Sequence, residues 1–411
     1  MSGKIFYGWR VVTACFIVAA FVWALAFFGS SVYLQAVTKA HGWSVAEVSS
    51  AISMFFFVSA LVQGWVGRAI ARTGPRPVLL LGALCMMVAV AAIGQVDSVW
   101  QLYPCFILLG MGWATLSTTG ISATVAPWFE RYQGRSITLA IMGASFGAIL
   151  GVPILLFAID RLGLSSGLLA VGAGSGVVLL PLIAIVLRYR GPADLGQRRD
   201  GDGASDNGTD THFSRVVAND QNRRRLIWTS TIAFSLALVV QNGFITHHVV
   251  FAQSFLGAAG AGLLVSATGV VALIGRIYLL KVIDVVPVRR LACQAMAAQF
   301  VSLMAIGLFP NVIVVVVASL VYGFALGNVT TLSPIVVRRE FGAEAFGATY
   351  GSAATFIQFT TAFGPACMGY MHQTFGGYSQ AFSVAATVTA IGCAVLHFGR
   401  ERPASTPSAS S

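Results

Sequence analysis

About twelve long apolar runs dominate the sequence, and they constrain its fold more than any other feature. Each run holds close to the ~20 apolar residues that an α-helix needs to cross roughly 30 Å of hydrocarbon. Charged residues make up only 9% of the chain, well below the roughly 25% of a soluble domain. The sequence therefore predicts an all-α membrane protein with twelve transmembrane helices. The predicted spans are residues 8–32, 48–70, 77–95, 101–125, 136–158, 166–188, 226–250, 257–280, 291–309, 312–335, 346–371 and 377–399.

The basic residues are concentrated in alternate loops between these runs. Arg68, Arg72 and Arg76 follow the second run, whereas the other set of loops holds only Lys39 and Arg161. An excess of Lys and Arg marks the cytoplasmic loops of membrane proteins, so we predict that both termini are cytoplasmic. The net charge of +11 is therefore explained by the basic residues of the cytoplasmic loops, which indicate the orientation in the membrane. We expect no nucleic-acid partner.

A polar stretch divides the chain into two halves. Residues 189–225 are rich in Asp, Gly, Asn and Arg and hold too few apolar residues to bury a core, which predicts a cytoplasmic linker. An N-terminal six-helix half, residues 1–188, precedes it, and a C-terminal six-helix half, residues 226–402, follows it. The Pro- and Ser-rich residues 403–411 are predicted to form a disordered tail. Two repeated six-helix halves are typical of secondary transporters, whose substrate site lies between the halves near the membrane midplane.

The loop after the second run carries a motif of glycines and arginines: Gly67, Arg72, Gly74 and Arg76. The motif resembles the G-x-x-x-D-R-x-G-R-R loop of the major facilitator superfamily, and the resemblance extends over nearly the whole chain. Ala71 replaces the acidic residue, while the related loop of the second half keeps an acid as Asp284. The resemblance implies a major facilitator fold in which these residues, with Arg131 and Arg135 before the fifth run, take part in gating. The alternative is that the basic residues only anchor a cytoplasmic turn.

Within that superfamily the chain resembles the monocarboxylate porters and the bacterial oxalate–formate exchangers. The similarity lies in residues 6–12 at the start of the first helix, in the aromatic and basic stretch 128–136, and in Gly275-Arg276 of the eighth run. It implies that Arg276 is the buried arginine that contacts the substrate carboxylate in this family. Several members carry an Asp one turn earlier for proton coupling, where this chain has Ala272. With one fixed positive charge in the pocket, a monoanion is expected rather than a dianion.

Arg276 also stands out on physical grounds. It is the only Lys or Arg placed well inside a predicted span, where a central charge costs about 2.5–3.5 kcal/mol on insertion scales. A guanidinium has five donors in a planar fork that matches a carboxylate, so the sequence favours Arg276 as an anion-binding residue. Two other roles stay open: hydrogen bonding to helix-end carbonyls, and extension of the side chain toward water at the cytoplasmic side.

Further polar and aromatic residues inside the runs are candidates for the substrate pocket: Gln63, Gln241, Asn242, Asn328, Gln358, Trp23, Trp113 and Tyr322. Gln63 is the repeat-related counterpart of Arg276 and is expected to offer its amide to the same ligand. Interhelical hydrogen bonding or core packing is the alternative for these residues. His247 and His248 are predicted at the outer end of the seventh helix, where they can titrate near neutral pH; interfacial histidines without a functional role are the alternative.

These features predict a secondary active transporter that moves a small organic anion, foremost a monocarboxylate, across the cell membrane by alternating access. The coupling is expected to be symport or antiport, with a proton or a counter-anion as second partner. A carrier for larger aromatic or vitamin-like compounds, an exporter of amphiphiles and a non-transporting membrane sensor are the alternatives. The sequence holds no Gly-rich nucleotide loop, metal-ligand cluster or catalytic triad, so we expect no enzyme activity and no cofactor, and a monomer in the lipid bilayer.

Overall fold

The structure is a computed structural model that describes residues 6–130, 132–199, 220–283 and 285–399, with side chains except at 220–223 and 338–352. The regular elements in these ranges are all helices. In chain order the α-helices are α1 (Tyr7–Val22), α2 (Gly29–His41), α3 (Val45–Thr73), α4 (Pro75–Ile93), α5 (Val99–Leu116), α6 (Thr118–Val125), α7 (Gln133–Ile141), α8 (Gly143–Phe146), α9 (Val152–Val186), α10 (Asp220–Val282), α11 (Val288–Leu308), α12 (Val312–Thr361), α13 (Gly364–Phe375) and α14 (Tyr378–Phe398).

Nine ranges within the described residues are long and apolar enough to cross a membrane, and two of them are hairpins. The range Gln133–Val186 holds 54 residues, which as one helix would be about 81 Å long, whereas the hydrocarbon core is about 30 Å thick. This range folds back at Gly163, and Arg224–Val282 folds back in the same way at Gly257. With the end of α12 and α13 as a further crossing, the helices agree with the twelve-helix prediction.

Four of the turns between crossings contain a glycine with a positive φ: Gly42, Gly163, Gly257 and Gly376. Their φ angles lie between 69° and 80°, in the left-handed backbone region that favours glycine. A side chain there would meet no neighbour within 4 Å, so the backbone conformation, and not crowding, requires glycine. The turns join crossings one to two, five to six, seven to eight and eleven to twelve, and therefore pair as a repeat between the halves. We call this side of the bundle the glycine end. The side where the chain turns at Gly74, and where Arg72 and Arg76 are exposed, is the basic end.

Two crossings that the sequence predicts as single helices are interrupted in the structure. The first passes through a π-helical segment at Trp23–Phe27, and the fifth is divided at Met142 and continues through a π-helical segment at Gly147–Gly151. The two crossings pack closely, since a Cβ added to Gly143 would overlap the carbonyl oxygen of Phe16. Small residues allow this approach, and the wider π turns change which side chains face the neighbouring helices.

Serines of the N-terminal half bind the C-terminal half near the glycine end. Ser31 Oγ accepts a hydrogen bond from the amide of Val249 at 2.8 Å, and Ser53 Oγ accepts one from the amide of Ala366 at 2.9 Å. Ser49, on the same helix as Ser53, contacts a histidine ring of α10. These bonds hold the first and second crossings of one half against the seventh and eleventh crossings of the other.

Nearer the midplane, Ser266 Oγ of α10 donates to the carbonyl of Ile149 in the other half at 2.8 Å. Arg276 and Gln63 also take part in bonds between the halves, and these lie nearest to the basic end among the bonds that the structure describes. The described bonds therefore join the two halves from the glycine end to the midplane.

The predicted domain boundaries stay predictions. Helix α9 ends at Val186, close to the predicted boundary at 188, and a 3₁₀ turn at Pro192–Leu195 follows. Helix α10 begins at Asp220, inside the predicted linker. The linker residues 200–219 and the tail 403–411 lie outside the described residues.

Candidate functional site

Arg276 lies in α10, on the part of the crossing nearer the basic end. A helical side chain leans toward the N-terminus of its helix, which is the glycine end here, so the guanidinium lies near the midplane. Its Nη1 donates to Ser145 Oγ of α8 at 3.1 Å. Arg276 is half-buried and Ser145 is buried. The guanidinium thus reaches across to the other half, a contact that the sequence does not reveal.

Glycines of α10 and α12 make room for the stem of this arginine. Gly275 packs directly against the carbonyl of Phe324. A Cβ added to Gly327 would lie 2.7 Å from Arg276 Nε and 3.1 Å from its Cγ. The stem is therefore held between two closely packed helices, while the head group reaches Ser145 of the other half.

The described surroundings of Arg276 are polar but uncharged. Ala272 stands one turn earlier on the same helix face, where a carboxylate would have neutralised the guanidinium. Asn328 lies beside Gly275, donates through Nδ2 to the carbonyl of Phe324 at 3.1 Å, and has a buried Oδ1 without a partner among the described residues. A guanidinium with five donors and one described acceptor keeps donors for an anion.

A small cavity lies between the halves on the glycine-end side of Arg276. Crossings one, seven, eight and ten form its walls, and polar side chains among its lining residues are Ser31, His248, Thr268, Ser319 and Tyr322. The space open to the centre of a water molecule is about 20 Å³, enough for roughly one water molecule. The buried hydroxyl of Tyr322 has no partner among the described residues. Thr268 lies about two turns before Arg276 on α10, and Arg276 is not among the residues that line the cavity.

Gln63 and Gln358 form a second contact between the halves. Gln358 Nε2 donates to Gln63 Oε1 at 2.9 Å, and Gln63 Nε2 donates to Thr119 Oγ1 at 2.6 Å. The repeat relation predicts that Gln63 shares a ligand with Arg276. The structure instead engages its amide with Gln358 and Thr119, and none of the described bonds links it to the arginine.

Gln241 and Asn242 lie in the interior of the C-terminal half. Gln299 Nε2 donates to Gln241 Oε1 at 2.8 Å, and both side chains are buried. Asn242 is buried beside Gly364, its Cβ 3.2 Å from the position of a Cβ on that glycine. These positions fit helix packing, and none of the bonds that the structure describes connects them with Arg276.

Trp23 and Trp113 belong to an aromatic cluster of the N-terminal half. Their ring centroids lie 4.8 Å apart, and Phe27 stacks on Trp113 at 5.6 Å. The Cβ of Trp23 lies 3.1 Å from the position that a Cβ would take on Gly147, two residues after Ser145. The cluster therefore borders the helix segment that holds Ser145.

His247 and His248 are buried within the bundle, and not at the outer end of the seventh helix, where the sequence predicts them. The seventh crossing continues to Gly257, about 15 Å beyond His247, because the apolar sequence after the histidines remains helical. The ring of His247 has three partners: Ser49 Oγ at 3.2 Å and the carbonyl of Pro365 at 3.1 Å, both from Nε2, and the hydroxyl of Tyr378 at 2.9 Å from Nδ1.

The residues predicted for gating lie at the basic end. Gly74 separates α3 from α4 with φ 88°, and Gly67 is half-buried in α3. Arg72, Arg76 and Arg135 are exposed. Arg131 and Asp284 lie outside the described residues, and the gating role of the whole set stays a prediction.

Comparison with known proteins decides the family. A sequence profile of the Major Facilitator Superfamily matches residues 12–289 and 250–411. The chain belongs to the Major Facilitator Superfamily. It is therefore a multi-pass membrane transporter and not an enzyme, as the sequence predicts.

The superfamily relatives of this chain include anion transporters at low identity. It is 26% identical to the oxalate:formate antiporter of Oxalobacter formigenes over 161 residues, which are 39% of this chain and 38% of the antiporter. It is 25% identical to monocarboxylate transporter 13 of Rattus norvegicus over 398 residues, which are 95% of this chain and 88% of the relative. The predicted resemblance to this branch is confirmed, although the match to the antiporter spans little more than a third of its length.

Solved transporter structures share the fold. A transporter of the POT family in complex with 5-aminolevulinic acid has a TM-score of 0.73 at 15% identity, covering 95% of this chain and 96% of that one. A bacterial homolog of the human lysosomal transporter Spinster, inward-facing and occupied, has a TM-score of 0.70 at 14% identity, covering 97% of each chain. At such identities the likeness shows the fold alone, and it confirms the predicted major facilitator fold.

Proposed function

We propose that this superfamily member is a secondary active transporter that moves a small organic anion, foremost a monocarboxylate, across the cell membrane by alternating access. The observation that carries the proposal is the guanidinium of Arg276, placed between the halves near the midplane with a neutral hydroxyl as its described partner. A buried positive charge is tolerable there when an anion neutralises it during part of the cycle. Relatives named for monocarboxylates and for oxalate and formate support the same class.

The surroundings of Arg276 favour a small ligand with one charge. Ala272 and Gly269 carry little side-chain volume, which leaves room for a small ligand beside Arg276 on its face of α10. One fixed guanidinium balances one carboxylate. A larger aromatic or vitamin-like substrate would require the helices around Arg276 to move further apart. Transport assays with ligands of increasing size therefore distinguish a small-monocarboxylate carrier from a carrier of larger compounds.

The orientation follows from charge. With the basic end in the cytoplasm, both termini are cytoplasmic and the glycine end faces outward. The described bonds between the halves then lie on the outer side, from the glycine end as far as the midplane. The exposed arginines at the basic end are in place to form gating contacts when that side closes.

The lack of a charged partner of Arg276 among the described residues supports anion exchange as the mode of coupling. A buried charge that moves through an occluded state needs a compensating charge, and Ala272 cannot supply one. The bound anion supplies it, so exchange of one anion for another accounts for the cycle without a carboxylate proton carrier. Counter-anion dependence of uptake distinguishes exchange from proton symport.

Uptake of radiolabelled formate, lactate and oxalate into proteoliposomes tests this function. Arg276→Gln removes the charge-assisted bonds, worth about 2–3 kcal/mol, so transport at low substrate concentration should fall about 30- to 150-fold. Arg276→Lys should keep part of the activity, because a point charge replaces the fork. Arg161→Gln, an exposed arginine at the glycine end, is the matched control for loss of charge. Normal transport by Arg276→Gln would remove Arg276 from the site, and transport of large aromatic compounds alone would overturn the substrate class.

A further inference from the structure

We infer that Ser145 forms part of the anion site, because it holds the guanidinium of Arg276 from the opposite half and offers its own hydroxyl hydrogen to the same anion. This inference rests on the proposed role of Arg276 in anion binding. It extends the site to a helix on which neither composition nor motif places a binding residue.

The hydrogen bonding of Ser145 is incomplete in a way that points to a ligand. Its Oγ accepts from Arg276 Nη1 at 3.1 Å, and the side chain is only 4% exposed. Five of the other seven buried serines of the N-terminal half donate to a carbonyl three or four residues earlier, as Ser59 does to Phe56 and Ser136 does to Tyr132. None of the described hydrogen bonds uses Ser145 as a donor. A hydroxyl has one donor, and a carboxylate with one oxygen on the guanidinium accepts it with the other.

The backbone around Ser145 fixes this side chain. Helix α8 starts after the break at Met142 and runs directly into the π-helical segment Gly147–Gly151. The close contact of Gly143 with Phe16 holds this short helix against the first crossing. Ser145 therefore stands between two irregular segments, at a position set by the N-terminal half and independent of α10.

Gly327 fixes the arginine from the other side. A methyl group at this position would lie 2.7 Å from Arg276 Nε, so only glycine lets the stem take its present path along α12. The guanidinium is thereby held by Gly327 in the C-terminal half and by Ser145 in the N-terminal half. An anion bound by both residues of the pair links the fifth and eighth crossings at the midplane.

The test compares the dissociation constants of formate and lactate for the full-length protein in lipid nanodiscs. Ser145→Ala should weaken binding about tenfold, since a hydrogen bond to a charged group is lost, whereas Ser145→Thr keeps the hydroxyl and should stay within about threefold of wild type. Ser266→Ala is the matched control, because Ser266 also bonds the fifth crossing from α10 but touches no charge. Gly327→Ala should weaken binding by displacing the stem, while Gly174→Ala, with no atom within 4 Å, should not.

Combination with Arg276→Lys separates a shared site from a structural effect. If both residues bind one carboxylate, the loss in the double variant is smaller than the product of the single losses. Equal affinities of Ser145→Ala and Ser266→Ala, or independent losses in the double variant, would overturn the inference while leaving the proposed function intact. Wild-type protein that binds neither anion, or an Arg276→Gln variant that binds both normally, would overturn the proposed function and this inference together.

Discussion

The hydrogen bond between Ser49 and His247 links the two halves near the glycine end. Its removal is the most direct way to change the equilibrium between the state in which that end is closed and the state in which it is open. Ser49 Oγ donates its own hydrogen to the carbonyl of Val45 at 2.5 Å, so it must accept from His247 Nε2. The same Nε2–H also faces the carbonyl of Pro365, and Nδ1 is hydrogen-bonded to the hydroxyl of Tyr378. Among the described bonds, the one partner of this ring in the opposite half is Ser49.

Replacement of Ser49 by Ala removes this one bond between the halves. His247 Nε2–H keeps the carbonyl of Pro365, so no buried donor loses all of its partners. The cost is then the net value of one hydrogen bond, about 0.5–1.5 kcal/mol, and it falls only on the state in which the glycine end is closed. The population with that end open should rise about 2- to 13-fold relative to the closed one. His247→Ala is a poorer probe, because it also removes bonds within the C-terminal half.

Electron–electron distance measurements between spin labels at Lys39→Cys and Gln373→Cys report this population. Both positions are exposed at the glycine end and belong to different halves. The six native cysteines are first replaced. Ser50→Ala is the matched control, because Ser50 bonds Tyr103 at 2.7 Å within the N-terminal half. If the distance distributions of Ser49→Ala and Ser50→Ala coincide, the bond does not contribute to closure and the reasoning is wrong.

Two further predictions concern the midplane amides and the orientation. Gln63→Ala should lower the uptake rate about two- to fivefold, because it removes only neutral hydrogen bonds. This loss is smaller than that expected for Arg276→Gln. An equally large loss would show that Gln63 contacts the substrate. A cysteine at Ser205 should react with a membrane-impermeant thiol reagent only after permeabilisation, whereas one at Lys39 should react in intact cells. Reaction of the Ser205 cysteine from outside would reverse the orientation.

The sequence predicts the fold well, because the membrane imposes a simple physical requirement. Backbone polar groups in hydrocarbon must be satisfied within the segment, so a run of about 20 apolar residues becomes a helix. Helix ends are less predictable: the first crossing reaches His41, nine residues past its predicted end, because it stops only where Gly42 takes a left-handed conformation. The depth of Arg276 is also predictable, since depth follows from position along a helix.

Lateral contacts are much harder to predict than depth, and the site depends on them. The bond of Gln358 to Gln63 joins residues 295 positions apart, and that of Arg276 to Ser145 joins residues 131 apart. Which residue faces the other half depends on the rotation of each helix, and one extra residue in a π turn rotates everything beyond it by about 100°. The π segments in the first and fifth crossings lie next to the cavity and next to Ser145. Ser145 comes after the break at Met142, so a regular 3.6-residue period carried from the start of the fifth crossing does not give the face on which it lies, whereas the apolar run around Arg276 marks the arginine directly.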